Sequence, residues 1–85
     1  MRNFNYNLTI AYECNEVEIR TNDVDTVCGE WFGCQNNTEF IKPNALVLVD
    51  GFTGEVLADI DFENGKSYFT REWHYILGGY FLMNF

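Results

Sequence analysis

From Phe4 to Glu13 the chain alternates. Phe4, Tyr6, Leu8, Ile10 and Tyr12 fall on one side, and Asn5, Asn7, Thr9, Ala11 and Glu13 on the other. A period of two sends successive side chains to opposite faces of a half-buried strand. A reversal at Cys14-Asn15 sets Tyr12 opposite Val17 and Ile10 opposite Ile19, so a second strand shows its apolar residues on the same face and the two read as a hairpin. The period then lengthens. Val24, Val27, Cys28 and Trp31 lie at i, i+3, i+4 and i+7, one stripe of a helix. Asn22 is its expected cap, Asp23 and Asp25 sit where carboxylates favour the positive end of the helix dipole, and Gly33 is its expected stop. Gly29 inside the stripe weakens the helix by about 1 kcal/mol relative to Ala, so it needs tertiary packing. Gln35 to Pro43, rich in Asn, reads as a loop.

Ala45 to Val49 is a continuous apolar run of strand length, and Asp50-Gly51-Phe52-Thr53-Gly54-Glu55 has hairpin-loop chemistry. Pairing Asp50 with Glu55 predicts Val49 opposite Val56 and Val47 opposite Ala58. Asn64-Gly65 signals a type I′ turn with positive φ at both positions. A meander over residues 45–50, 55–63 and 66–71 follows. From Trp73 to Met83, aromatic and branched residues around Gly78-Gly79 favour one more hairpin, whereas Thr70 as a cap with Trp73, Ile76 and Leu77 on one side suits a short helix. The pattern therefore predicts an α+β fold. It is one small domain over 1–85, a mostly antiparallel β-sheet of two or three hairpins, with one short α-helix near residues 22–33 and, on the alternative reading, a second near 70–78.

Charge narrows the function. Thirteen Asp and Glu against five Lys and Arg leave a net charge of −8, which repels a phosphate backbone and makes direct nucleic-acid binding an unfavourable reading. The same field draws in a basic protein surface. Residues 43–65 carry Asp50, Glu55, Asp59, Asp61 and Glu63 with no Lys or Arg. Asp59, Asp61 and Glu63, alternating along one strand, would line up on one face at about 7 Å intervals. Glu13, Glu16, Glu18, Asp23 and Asp25 form a second acidic set around the first hairpin and helix start. Rows of this kind imitate the charge of a nucleic-acid strand, although a solvated polar face gives the same pattern. Phe52 at a loop tip is the candidate aromatic anchor.

The other chemistry is thinner. Eight Phe, five Tyr and two Trp can fill a small core and leave aromatics for an interface. Leu46, Leu48 and Leu57 fall on the face opposite Val47, Val49, Val56 and Ile60. Either one of those faces meets a partner or a second copy in a homodimer, or the first hairpin and the helix cover opposite sides of the meander. Cys14, Cys28, Cys34 and His74 are a conceivable zinc set, but five residues separate Cys28 from Cys34, outside common zinc spacing, so buried thiols are the plainer reading and no metal or other cofactor is implied. Nothing flanking the cysteines or His74 suggests an activated nucleophile, so a non-enzyme is expected. The odd cysteine count points to reduced thiols in a cytoplasm. The opening residues lack a signal-peptide apolar run and no stretch approaches the ~20 residues of a membrane span. The glycosylation patterns at Asn7 and at Asn36-Asn37-Thr38 read as accidental.

In overall character the chain resembles the small acidic proteins that bacteriophages encode to block host enzymes, anti-CRISPR proteins among them. The resemblance covers no aligned residues and transfers no site. It implies a non-catalytic inhibitor that occupies a basic, nucleic-acid-binding surface of a host enzyme. A self-associating accessory protein is the alternative, and a small zinc-binding domain a third.

Overall fold

A computed structural model describes residues 4–36 and 42–85. Residues 37–41, the middle of the expected 35–43 loop with Asn37 and Thr38 of the glycosylation pattern, lie outside the described residues, whereas Gln35 ends α1 and Asn36 caps it. The elements, in order, are β1 (Tyr6–Ala11), β2 (Glu16–Thr21), α1 (Val24–Gln35), β3 (Ala45–Asp50), β4 (Val56–Asp61), β5 (Lys66–Phe69) and α2 (Arg71–Asn84). The strands form a single five-stranded antiparallel sheet in the order β2-β1-β3-β4-β5. The first hairpin is therefore not a separate cover over the meander, because β1 pairs with β3 along its whole length. The connection from β2 through α1 to β3 crosses over β1.

The core occupies one side of this sheet. Leu8, Ile10, Leu46, Leu48 and Ala58 are buried against Val27, Cys28 and Trp31 of α1 and Trp73 and Leu77 of α2. Helix α1 lies over β1 and β2, and α2 over β4 and β5. Five strands at about 4.8 Å spacing make a face wider than one helix of about 10 Å diameter can shield. That width is why the C-terminal segment forms a helix and not the expected hairpin. As a helix it turns Trp73, Ile76, Leu77 and Tyr80 together onto the core, with Tyr80 stacked on Phe32 of α1, where a strand would turn half of them away. The Thr70 side chain accepts the Trp73 N–H at 3.2 Å, and the Thr70 N–H donates to the Leu57 carbonyl at 2.9 Å.

Several local expectations shift by one or two residues. The first reversal spans Tyr12 to Asn15, closed by the Tyr12 N–H on the Asn15 carbonyl at 2.8 Å, so Ile10 faces Val17 and Leu8 faces Ile19. The shift of two keeps every side chain on its expected face. Helix α1 is capped by Asp23, whose carboxylate accepts from the Asp25 N–H at 3.2 Å and the Thr26 hydroxyl at 2.8 Å. The Asn22 side chain instead accepts the Asn5 N–H at 2.7 Å. The helix runs through Gly33 to Gln35 because the stripe continues to bury Trp31 and partly bury Phe32 and Cys34.

One shift changes faces. Val49 pairs with Val56 as expected, but a bulge follows, and Leu48 then meets Ala58 and Val47 meets Asp59. Val47 opposite Ala58 is thereby overturned. The extra residue leaves Leu57 and Ala58 both buried in succession, and it moves Ile60 to the helix side, opposite Leu46. The last turn is not a two-residue type I′ turn either. Asp61 pairs with Lys66 across a four-residue loop in which Gly65, at φ 67, alone has positive φ. The Asp61 carboxylate accepts from the Glu63 and Asn64 N–H groups and from the Asn64 side-chain amide, at 3.0, 3.2 and 2.7 Å. This fastening outweighs the propensity of Asn64 for a left-handed conformation.

Candidate functional site

Both helices lie on one side, so the opposite face of the sheet is left open. Cross-strand pairing fixes its occupants. One row runs Glu18, Thr9, Val47, Asp59, Tyr68, and the next Glu16, Ala11, Ala45, Asp61, Lys66. A third runs Arg20, Asn7, Val49, Val56. The middle of the face is thus uncharged, made of Thr9, Ala11, Ala45, Val47 and Val49, all half-buried. Glu16 and Glu18 flank it on β2, and Asp59 and Asp61 on β4. Within each pair the residues are about 7 Å apart along the strand, and the two pairs stand about 14 Å apart, three strand spacings.

Of the predicted site residues, the fold brings these four onto one face and disperses the others. Glu13, in the turn after β1, and Glu63, in the loop after β4, lie at the end of the sheet where Ala11 and Asp61 sit. Glu63 therefore does not extend the strand row. Asp50, Glu55 and Phe52 belong to the loop at the far end, with Phe52 exposed at its tip. Asp50 pairs with Tyr6, on the helix side by register.

Two of the carboxylates already have local work. Asp50 accepts from the Phe52 and Thr53 N–H groups at 2.8 and 3.0 Å. Those backbone hydrogen bonds, from Thr53 first, hold its carboxyl below the usual 3.8. Asp61 is held below 3.8 chiefly by the Asn64 side-chain amide, then by the Asn64 N–H, with Lys66 adding a smaller pull. Glu18 forms an ion pair with Arg20 of the same strand. Among the described residues, Glu16 and Asp59 have no ion-pair partner, and Asp59 sits opposite Tyr68.

The two turn aspartates predict an acid response. A carboxyl whose folded pKa is depressed stabilises the fold above its unfolded value, and that contribution is lost as pH falls through the folded value. Stability should therefore drop as pH falls from about 3.8 downward. Urea midpoints at pH 6 and pH 2.5 should fall further for the native chain than for Asp50→Asn with Asp61→Asn. Equal losses would remove the two carboxylates as the cause.

The remaining candidate chemistry does not assemble. Cys28 is buried in the core, Cys34 leans on the Trp31 carbonyl at 3.4 Å, and Cys14 is exposed in the first turn. Burial pushes the Cys28 and Cys34 thiols up to about 11, which disfavours the thiolate that nucleophilic or metal chemistry needs. Among the described residues no three His, Cys, Asp or Glu side chains converge into a metal-holding group. A groove of about 300 Å³ between α1 and α2, lined by Trp31, Phe32, Phe69, Leu77 and Phe81, carries His74 and Gln35 as its polar residues. Gln35 is committed to the Trp31 carbonyl at 2.8 Å. Among the described residues no helix is long and apolar enough to cross a membrane. The chain matches no protein-family model, no curated protein and no solved structure.

Sequence reading placed Val47, Val49 and Val56 together on one face. It did not place Asp59 and Asp61 beside them, because the bulge at Leu57 leaves no mark in the polarity pattern. It also missed the outer side of α2, where Tyr75, Leu82 and Met83 are exposed. The signal was present: no Asp, Glu, Lys, Arg or His occurs from Tyr75 to Phe85.

Proposed function

We propose that the protein is a non-catalytic, cytoplasmic binding module that lays its open sheet face on a cationic surface of another protein. The carrying observation is the arrangement of that face, an uncharged strip between Glu16 and Glu18 on one flank and Asp59 and Asp61 on the other, which stays net negative although Arg20 pairs with Glu18 and Lys66 faces Asp61. Interfaces of moderate strength combine an apolar centre with a charged rim, the centre supplying burial and the rim supplying steering and register. The separation of the flanks, about 14 Å from strand spacing, is comparable to the roughly 12 Å width of a DNA major groove. A groove built to hold nucleic acid is thus a suitable seat, and occupying it is inhibition. The general resemblance to phage proteins that block host defence enzymes agrees with that role.

The test uses a panel of nucleic-acid-cleaving enzymes with basic grooves, with binding measured at low salt and at 1 M, where the screening length is about 3 Å. A bound enzyme should release the protein in 1 M salt, and duplex DNA should compete for it. Glu16→Gln, Glu18→Gln and Asp59→Asn together, which leave both turn-capping aspartates in place, should weaken binding about tenfold, from roughly 0.5 kcal/mol per rim charge. Binding indifferent to both salt and the triple substitution would refute the reading.

A further inference from the structure

Helix α2 departs from the pattern of a surface helix. Its inward side packs Trp73, Ile76, Leu77 and Tyr80 on the core, and the outward side of such a helix is ordinarily charged. Here that side is Tyr75, Gly78, Gly79 and Leu82, at i, i+3, i+4 and i+7, with Met83 and Phe85 beside it. Tyr75, Leu82, Met83 and Phe85 are 71, 83, 86 and 61% exposed. The two glycines need a reason of their own. A helix interior disfavours glycine, and a Cβ at either position would meet nothing within 4 Å. The single chain, as far as its described residues show, makes no use of the missing side chains. Close approach of another backbone does.

We propose that this stripe is a homodimer interface, in which α2 packs antiparallel on α2 of a second copy about a two-fold axis between Gly78 and Gly79. The sequence is self-complementary under that operation. Tyr75 meets Leu82 of the second copy, each glycine meets a glycine, and the helices close over a saddle with bulky residues at both ends. Charge selects the same surface. Each chain carries −8, and from Tyr75 to Phe85 α2 has no charged side chain, so two copies can meet there with only Arg71 and Asp25 at the margin. The area suffices as well. Tyr75, Leu82, Met83 and Phe85, exposed by 61 to 86%, offer roughly 600 Å² at about 200 Å² per large side chain, so two copies bury about 1,200 Å², the lower bound of a standard stable interface. A lipid surface fits less well, since membrane-lying helices carry Lys and Arg along the polar flank and anionic leaflets repel an acidic protein. Paired this way, the helices form the inner layers and both open sheet faces point outward, so the dimer presents two acidic faces. The inference does not depend on what those faces bind.

Sedimentation of the full chain over a range of concentrations should show a species of twice 9.9 kDa, unchanged in 1 M salt because the contact is apolar. Leu82→Lys, at an exposed position that leaves the circular dichroism intact, should raise the dimer dissociation constant by about thirtyfold or more, as for an interface hot-spot residue. Gly79→Leu is the second arm. It should break the dimer while raising the melting temperature of the monomer, since the added side chain meets nothing in its own chain and favours the helix. A native chain that sediments as a monomer up to about 100 µM, well above the micromolar range of standard-size contacts, overturns the proposal, as does a dimer unaffected by both substitutions. Monomers that bind neutral phosphatidylcholine vesicles through Leu82 also overturn it, by assigning the stripe to lipid.

Discussion

Trp31→Ala should cost about 3 to 5 kcal/mol, the usual range for deleting a large buried aromatic. A chain of 85 residues holds only about 4 to 13 kcal/mol in total at 0.05–0.15 per residue, so the variant should lose at least about a quarter of its stability. Trp31 is 2% exposed and meets Phe69 of β5 edge-on, with ring centroids 6.0 Å apart. It therefore links α1, which lies over one side of the sheet, to the far edge strand under α2. Its removal opens a void where both helices and the sheet meet, and little can collapse into it. Urea unfolding followed by the fluorescence of Trp73 measures the loss. A loss below about 1 kcal/mol, the mean for an arbitrary substitution, would mean that the helices are held without this contact.

Gly51→Ala should be the most damaging loop substitution, at about 2 to 3 kcal/mol, the sum of overpacking and a lost backbone hydrogen bond. The Gly51 N–H donates to the Asn5 carbonyl at 2.8 Å, which draws the loop after β3 against the segment leading into β1. A Cβ there would run into the carbonyl of Phe4, with the Asn5 carbonyl carbon 3.2 Å away. Backbone cannot rotate aside as a side-chain tip can, so the loop must lift and the hydrogen bond must break. The thermal midpoint of Gly51→Ala compared with the native chain checks this, and an unchanged midpoint would show that the loop takes up the methyl without losing the hydrogen bond.

Trp31 and Gly51 are written into the chain in different ways. Trp31 could be named as core from its place at i+7 of the Val24, Val27, Cys28 stripe, a purely local pattern. Gly51 reads as an ordinary turn glycine, and only its meeting with Phe4, a long way off in sequence, makes it indispensable. The acidic residues divide similarly. That Glu16 and Glu18 share a face follows from a period of two. That Asp59 and Asp61 share that same face, and that Asp50 and Asp61 are occupied in fastening their own loops, follows from a bulge and two turn geometries formed by hydrogen bonds.

Sequence by itself determined what depends on near neighbours: the α+β class, β1 and its hairpin partner, the α1 stripe, the meander, and the acidic, aromatic-rich composition. Tertiary structure decided the rest. It joined the hairpin to the meander in one sheet, put both helices on one side, made residues 71–84 helical to cover the sheet's width, and left one acidic sheet face and one apolar helix side in the open. Periodicity fixes which side chains of an element point the same way, but which of those sides is buried is set by what else the chain brings against it. A competition for cover is decided across the whole fold, where no local window of sequence can see it.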